Sequence, residues 1–299
     1  MKKFKYEIML LLVALFWGIT FPAAKYIAYD LDSISYLLVR LFIATVILVV
    51  LFRKNLKNIA PRMAVFAFIA GANLSIQSFI QLEGLKYTSS GNSAFISSMS
   101  VIFVPIFSFV FLKKRTQKGF LSGLLTVVIG FLIISGVVSL YPLGFNLTTF
   151  NYGDLLTLIV AVMTAVYYIV MGVITEKYDP ITVNIMHMIG ATLTMLILWI
   201  FSTEKTIVFT NLGTIAWILF CAIFGSAIGF YLLTKAQAKL SASKVSLICS
   251  LESVFALLFA AVVPGRDGLI EPITINAAIG GILILIGVIK VSLLKKDSV

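Results

Sequence analysis

The chain has 299 residues, of which 61% are hydrophobic and only 12% are charged, and its mean hydropathy is +1.09. A soluble globular protein has roughly 45–50% apolar and about 25% charged residues, so this composition excludes that class. The formal net charge of +11 would suggest nucleic acid as the partner of a soluble protein. In a membrane protein the positions of the basic residues report topology instead, so we expect no nucleic-acid partner.

Hydropathic stretches predict ten membrane-spanning helices, each close to the roughly 20 residues that cross a bilayer core. In chain order they are Ile8–Ile27, Ser33–Phe52, Arg62–Leu82, Ser89–Leu112, Lys118–Val138, Tyr152–Ile174, Pro180–Ser202, Leu212–Thr234, Ser243–Val263 and Ile273–Leu294. Most of the loops between them are short. Consecutive helices are therefore expected to pack as antiparallel neighbours.

Basic residues are distributed unevenly between alternate loops. If the amino terminus is cytoplasmic, 18 of the 23 Lys and Arg residues lie in inner segments, and Lys2, Lys3, Lys295 and Lys296 at the two ends are among them. Only Lys25, Lys86, Lys205 and Arg266 lie outside, and Arg40 lies within a span. The positive-inside rule therefore predicts a multi-pass protein of the cytoplasmic (inner) membrane with both termini in the cytoplasm.

The chain contains an internal repeat, in which the sequence pattern of the first five predicted helices recurs in the last five. Pairs at a spacing of 147 are Glu7 with Asp154, Phe21 with Tyr168, Asp32 with Asp179, Arg40 with His187 and Ala44 with Ala191. The spacing becomes 152 for Ser89 with Ser241, Ile96 with Ile248, Ser98 with Ser250 and Phe103 with Phe255, and 157 for Gly123 with Gly280 and Gly130 with Gly287. Because each copy has five spans, an odd number, the second copy must be inverted relative to the first.

The predicted fold is thus an all-α membrane protein with ten transmembrane helices in two inverted five-helix repeats. The repeats are residues 1–138 and 152–299, joined by a loop at 139–151 that contains Tyr-Pro-Leu-Gly and a Thr/Asn stretch. No G-x-x-x-x-G-K-[ST] phosphate loop occurs, so ATP hydrolysis is not expected to drive the protein. One His and two scattered Cys predict no soft-metal site, and we expect no cofactor.

Short segments in both copies resemble one family. They are LFWGITFPAAK at Leu15–Lys25, LVRLFIATV at Leu38–Val46, KYTSSGNSAF at Lys86–Phe95, KLSASKVSLICSL at Lys239–Leu251 and ESVFA at Glu252–Ala256. Their order is similar to that of the EamA-type transporters of the drug/metabolite transporter (DMT) superfamily. Two features depart from the family pattern: Ser253 stands where Glu-Pro-Val-Phe has its proline, and Pro264–Gly268 looks like an insertion before the Glu-Pro of Ile270–Pro272.

The resemblance covers essentially the whole chain, twice. It implies a ten-helix bundle around a central cavity lined mainly by helices one, three, four, six, eight and nine. Members of this family move amino acids, amines, nucleotide-like metabolites, vitamins or drugs, often outward. Internal inverted repeats independently place a binding site near mid-bilayer, where the two copies meet.

Polar side chains recur on single helix faces. Gln77 and Gln81 follow Asn73 at i+4 and i+8, a spacing that stacks three amides on one face. Such a surface would be costly to expose to lipid, so we predict that Asn73, Gln77 and Gln81 line the cavity rather than only join helices. Polar stripes in the fourth and ninth spans add Asn92, Ser97 and Ser250 to the predicted lining.

Three ionisable residues fall within predicted spans. Glu252 lies nine residues beyond Ser243, which at about 1.5 Å per residue places it near the bilayer centre. A carboxylate there either couples transport to protons, binds a cation, or is hydrogen-bonded as part of the fold. Arg40 and His187 are repeat mates that could pair with a carboxylate or an anion, although an arginine can also snorkel and a lone histidine can serve packing alone.

Aromatic rings in the first, sixth and eighth spans are candidate lining residues. Trp17 belongs to the first quoted segment, Phe21 and Tyr168 are repeat mates, Tyr167 precedes Tyr168, and Tyr231 lies in the eighth span. Most aromatic residues of such a chain face the core or the lipid, so these five are hypotheses.

The expected function is secondary active transport of a small polar or amphipathic metabolite, such as an amino acid or an amine, by alternating access and in the export direction. The expected partners are this small-molecule substrate, the lipid bilayer, and protons or another coupling ion, with the protein a monomer or a homodimer. A membrane-embedded lipid-modifying enzyme needs a cluster of catalytic His, Asp or Glu residues at the membrane surface. The sequence shows no such cluster, so we do not expect an enzyme. That enzyme and a lipid flippase subunit remain the alternatives.

Overall fold

The fold is described by a computed structural model that covers residues 4–57, 59–140, 143–145, 151–203, 205–206, 211–266 and 268–294. Lys2, Lys3, Lys295, Lys296 and part of the predicted inter-repeat loop lie outside the described residues. The first repeat contains α1 Lys5–Ile27, α2 Ser33–Phe52, α3 Pro61–Leu85, α4 Ser90–Ser98, α5 Ser100–Leu112 and α6 Phe120–Ile134. The second contains α7 Tyr152–Lys177, α8 Pro180–Phe201, α9 Leu212–Phe220, α10 Gly229–Gln237, α11 Ala242–Cys249, α12 Glu252–Ala260 and α13 Ile275–Ser292, with a π-helical segment at Cys221–Ile228.

Nine helical segments of the described chain are long and apolar enough to cross a membrane, and α6 is a shorter apolar helix. The fifth predicted span, Lys118–Val138, was therefore placed too wide, because only the 15 residues of α6 are helical. Gly119 and Gly136 flank this helix with φ angles of 87° and 74°, in the left-handed region that an α-helix does not continue through.

The all-α membrane fold is confirmed, and one small β-hairpin is added to its helices. Its strands are β1 Val138–Leu140 and β2 Leu143–Phe145, and they pair antiparallel with Ser139 opposite Gly144. The hairpin begins at the predicted boundary between the repeats. Both strands lie between α6 and α7, outside the helices of the bundle.

Helix boundaries reproduce the repeat. α7 and α8 begin 147 residues after α1 and α2, while α11 begins 152 residues after α4. The hydroxyl oxygens of Thr45 and Thr192, which are repeat mates at a spacing of 147, lie 2.8 Å apart. A residue that touches its own mate lies on the axis that relates the two copies, so the pseudo-twofold axis passes between α2 and α8.

The interface between α6 and α13 obeys the same symmetry. A Cβ on Gly123 would lie 2.9 Å from the carbonyl oxygen of Gly287, and a Cβ on Gly280 would lie 2.5 Å from that of Gly130. Gly123 and Gly280 are repeat mates, and so are Gly130 and Gly287, so the two contacts are related by the repeat symmetry. Close backbone approach at small residues is how helices associate tightly in lipid.

Gly71→Ala is expected to destabilise the protein by about 1–3 kcal/mol, the usual effect of overpacking a filled interface. A Cβ at Gly71 of α3 would lie 2.1 Å from the His187 carbonyl oxygen and 2.6 Å from the Ala191 nitrogen of α8, so the two helices would have to separate. Thermal unfolding in detergent measures the change. Gly91→Ala is the matched control, since a Cβ there meets only Leu257 at 3.6 Å. Equal stability of the two variants would contradict the tight α3–α8 contact.

Ion pairs mark the two ends of the bundle. At the end where α1 begins, Lys244 Nζ lies 2.9 Å from Glu7 Oε1 and 3.4 Å from the Ser292 carbonyl oxygen, which joins the starts of α1 and α11 to the end of α13. We call this the termini end and the other the opposite end. At the opposite end, Lys25 Nζ lies 3.0 Å from Glu271 Oε1. Burial raises the pKa of Glu271, but hydrogen bonds from Lys25 and Ser90 outweigh it and lower that pKa overall.

Candidate functional site: a central cavity

A cavity of about 110 Å³ lies in the middle of the bundle. Eight residues singled out in the sequence line it: Trp17, Phe21, Arg40, Gln77, Gln81, Ser97, Tyr168 and Glu252. Most of the helices implied by the family resemblance supply these residues. The cavity alone is smaller than the about 300–1,000 Å³ of ordinary ligand pockets, so a bound solute would extend beyond it.

The cavity adjoins a larger space at the opposite end of the bundle. Ala24, Leu82 and Leu85 line both the cavity and a vestibule of about 710 Å³. A separate groove of about 580 Å³ at the termini end shares no lining residue with the cavity over the described part of the chain. The structure thus pairs the central cavity with the opposite end.

Two broken helices meet at the cavity. The fourth span is interrupted between α4 and α5, and the ninth between α11 and α12, with i→i+3 bonds from Met99 N to Ile96 O and from Leu251 N to Ile248 O. Ser98, at the first break, donates to Glu252 Oε1 at 3.4 Å, at the second. Discontinuous helices of this kind form mid-membrane binding sites in inverted-repeat carriers.

Glu252 is the first residue of α12, directly after the interruption that follows α11. Its side chain lines the cavity. Among the described residues, no Lys, Arg or His nitrogen lies within 4 Å of its carboxylate. The carboxylate is therefore free to meet a cationic group of a solute or to exchange a proton.

Arg40 is held by hydrogen bonds to the eighth span and to its own helix α2. Its Nε donates to Ser226 Oγ at 2.8 Å and its Nη1 to Tyr36 Oη at 3.3 Å. No carboxylate within the described ranges lies within 4 Å of it. The side chain therefore points into the cavity rather than snorkelling, and its charge is available to an anionic group.

The π-helical segment positions both Arg40 and Trp17. Ser226 and Gly225 lie in this segment, and Trp17 Nε1 donates to the Gly225 carbonyl oxygen at 2.8 Å. A π-turn holds one extra residue and frees carbonyl groups from the helix ladder, which is why such turns occur at functional sites. The span Leu212–Gln237 has 26 residues where its mate α3 has 25, so the extra residue is accommodated here.

The amides of α3 separate in the structure. Gln77 Oε1 accepts a hydrogen bond of 2.6 Å from Thr164 Oγ1 of α7, and Gln77 and Gln81 line the cavity. Asn73, one turn earlier, does not line it, and its Oδ1 is buried without a partner in the described chain. Of the three stacked amides, therefore, only Gln77 and Gln81 line the cavity.

Four predicted site residues do not line the central cavity: Asn92, Tyr231, Ser250 and His187. Asn92 lies in the first turn of α4 and lines the vestibule. The Tyr231 ring stacks on Phe52 at 5.2 Å between centroids and its hydroxyl accepts from Lys235. Ser250 is buried and donates to the Leu247 carbonyl, since the helix break turns Glu252 towards the cavity instead.

His187 lies behind the cavity wall. It is fully buried, its ring packs 5.4 Å from that of Tyr167 and 5.3 Å from that of Phe230, and both of those residues line the cavity. Its Nε2 lies 3.3 Å from Tyr167 Oη. A direct pairing of His187 with a solute is therefore blocked in this conformation.

Among the polar and aromatic residues of the cavity wall, sequence reasoning missed four: Thr20, Ser78, Thr164 and Phe230. Thr20 and Tyr167 are repeat mates at a spacing of 147, directly before the predicted pair of Phe21 and Tyr168. The repeat register was thus the signal that could have found Thr20. It could also have found Thr164, which at the same spacing is the mate of Trp17 and which donates to Gln77 in the structure.

A helical bundle of two inverted repeats, with interrupted helices and with Arg40 and Glu252 at a mid-bundle cavity, has the architecture of a membrane transporter. The chain belongs to the EamA-like transporter family, whose model matches residues 4–136 and 151–293. This membership agrees with the family resemblance read from the sequence. The family model matches the chain twice, which agrees with the internal repeat.

Similar proteins span nearly the whole chain. An uncharacterized transporter of Archaeoglobus fulgidus is 29% identical over 98% of this chain and 87% of its own length. The uncharacterized transporter YyaM of Bacillus subtilis is 26% identical over 98% of this chain and 95% of its own. One crystal structure superposes with a TM-score of 0.70 at 17% identity and covers 96% of both chains, which shows the shared fold alone.

Proposed function

We propose that this protein is a secondary transporter of the cytoplasmic membrane that exports small zwitterionic metabolites of the amino-acid type. One observation carries the proposal: Arg40 and Glu252 line the same cavity, and the two do not form an ion pair with each other. A guanidinium and a carboxyl group that both lack ion-pair partners in one low-dielectric space fit a solute that carries both charges. The guanidinium would bind the solute carboxylate, and Glu252 would bind its ammonium group.

Aromatic and amide groups suit the remainder of such a solute. Trp17, Phe21 and Tyr168 supply apolar ring surface, while Gln77 and Gln81 supply neutral hydrogen-bonding groups. The vestibule offers room for a side chain of variable size. This combination favours small amphipathic zwitterions over large or purely apolar compounds.

Alternating access would exchange the roles of the two repeats, taken as residues 1–138 and 152–299 with the linker 139–151. With both termini in the cytoplasm, the vestibule faces outward, so this conformation is the outward-open one. Protons are the proposed coupling ion, with Glu252 as the group that releases its solute on protonation.

Counterflow in proteoliposomes tests the proposal. Vesicles loaded with a mixture of unlabelled L-amino acids should accumulate at least one radiolabelled L-amino acid faster than vesicles without protein. Acidifying one side should change the rate if protons are coupled. A screen of labelled phospholipids in the same vesicles addresses the flippase alternative. Movement of lipid without movement of any amino acid would overturn the proposal.

A further inference from the structure

A second set of polar side chains is buried between the central cavity and the termini end. Asn184, His187, Thr234 and Gln237 are each at most 1% exposed. The set begins at His187, which contacts the cavity residue Tyr167, and it ends at Gln237, which lines the termini-end groove. In between, Thr234 Oγ1 lies 3.4 Å from Asn184 Oδ1.

The hydrogen bonds of this cluster are incomplete. Within the described chain, Asn184 Nδ2 and both polar atoms of the Gln237 amide are buried without a partner. The single hydroxyl proton of Thr234 is directed to the Phe230 carbonyl at 2.7 Å, so it contributes little to Asn184. Burying unpaired amides is unfavourable, and a permanently closed helix interface gains nothing from them.

The repeat register explains why polar groups stand there. At a spacing of 147, Asn184 and His187 are the mates of Leu37 and Arg40, which line the central cavity. At a spacing of 152, Thr234 and Gln237 are the mates of Leu82 and Leu85, which line both the cavity and the vestibule. The 152 spacing holds locally, because α3 and α10 end at Leu85 and Gln237 and the next helices are capped by Ser89 and Ser241.

We propose that Asn184, His187, Thr234 and Gln237 form the termini-side half of the solute pathway, which is closed in this structure and is wetted when the opposite end closes. The proposal rests on the proposed transport function, since it requires that the two repeats exchange conformations. When the two repeats have exchanged conformations, Asn184, His187, Thr234 and Gln237 take the positions that their repeat mates Leu37, Arg40, Leu82 and Leu85 have in this structure. The unpaired amides then bind water and the hydrogen-bonding groups of a passing solute.

The two halves of the pathway differ in charge. The vestibule half is bordered by Arg40, whereas its mate in the termini-side half is His187, next to the neutral amides of Asn184 and Gln237. A solute moving through the cluster itself therefore meets neutral donors and acceptors, before it reaches the basic groove that Lys114, Arg115, Lys239 and Lys244 line. Neutral groups bind a charged solute weakly, which suits passage through the cluster.

Thiol accessibility tests the proposal without any solute. In a background with Cys221 and Cys249 replaced by Ala, the single variants Gln237→Cys, Thr234→Cys and Asn184→Cys are reacted in nanodiscs with a charged methanethiosulfonate reagent. Leu85→Cys in the open half is the positive control. Ala236→Cys is the matched negative control, because Ala236 is fully buried on the same helix and its mate Gly84 packs against the Gly153 backbone.

We expect Gln237→Cys and Thr234→Cys to react roughly 10- to 1,000-fold more slowly than Leu85→Cys, as for an alternative state populated at about 0.1–10%. Both should react well above the rate of Ala236→Cys. Reaction of all three cluster variants at the Ala236→Cys rate would overturn the proposal, and gel filtration identifies any variant that fails to fold. The three variants are independent readouts, so loss of one does not remove the test.

Gln237→Leu separates a pathway from a simple packing defect. This change replaces the unpaired amide by leucine, which is the residue at the mate position 85. It should stabilise the conformation in which the termini-side half is closed, so Thr234→Cys should react more slowly in the double variant. An unchanged Thr234→Cys rate would contradict the role of Gln237. If the cluster variants react as expected but no amino acid moves in counterflow, the pathway stands and only the proposed substrate class fails.

Discussion

Arg40→Met is expected to weaken binding of zwitterionic amino acids about 10- to 150-fold, because hydrogen bonds to a charged group contribute about 1.5–3 kcal/mol. Arg40 keeps its guanidinium in the cavity through Ser226 and Tyr36, and no carboxylate of the described chain neutralises it. Affinity is measured by binding of the radiolabelled amino acid that gives the largest counterflow.

Controls separate the charge from the fold. Arg40→Lys keeps the charge but loses the fixed fork of donors, so it should recover part of the affinity. Arg62→Met, at the start of α3 and beside the Phe66 ring, removes a cation away from the cavity and should bind as the unaltered protein does. An amino-acid amide, which lacks the carboxylate, should bind Arg40→Met and the unaltered protein about equally. A full carboxylate preference in Arg40→Met would contradict the assignment.

Glu252→Gln is expected to remove the contribution of the solute ammonium group while preserving the fold. The amide is nearly isosteric and can still accept the hydrogen bond from Ser98, so thermal stability should change little. Binding of zwitterionic amino acids should fall about 10- to 150-fold, for the same reason of a lost charged hydrogen bond. If protons couple to this carboxylate, the pH dependence of counterflow should disappear with it.

Matched ligands make this test specific. An N-acetyl amino acid lacks the ammonium charge, so the unaltered protein should discriminate against it and Glu252→Gln should not, as in a double-mutant cycle between side chain and ligand group. Glu176→Gln, at an exposed ion pair with Lys114, is the control for loss of a carboxylate elsewhere. A Glu252→Gln protein with unaltered affinity, rate and pH profile would leave Glu252 a structural role only.

The sequence predicted much of the cavity because polar groups are conspicuous in an apolar chain. Gln77 and Gln81 could be placed by their i, i+4 spacing, and Glu252 by its depth in a span, since neither group is readily exposed to lipid. Ser250 and Tyr231 could not be placed in this way. A serine can satisfy its hydroxyl on its own helix, as Ser250 does with Leu247, so its presence does not reveal which way it faces.

Aromatic residues show the same limit more clearly. Phe111 is 68% exposed on the bundle surface and Phe131 is 1% exposed in the core, yet both stand in equally apolar sequence. In a bilayer the lipid face and the packed face of a helix are both apolar, so the hydrophobic pattern does not fix helix rotation. The choice of Phe230 rather than Tyr231 for the cavity wall was therefore open until the helices were packed.

The sequence by itself determined the number of repeats, their inversion and the approximate spans, because spacing and hydropathy follow from chain length and bilayer thickness. Only the tertiary structure decided where spans are interrupted, which ionisable side chains lack an ion-pair partner, and which end of the bundle the central cavity adjoins. The interruptions at Met99 and Leu251 lie in sequence that reads as continuous helix, and the contact between Ser98 and Glu252 joins the two interrupted spans. Such contacts join residues 154 positions apart, so no local pattern encodes them.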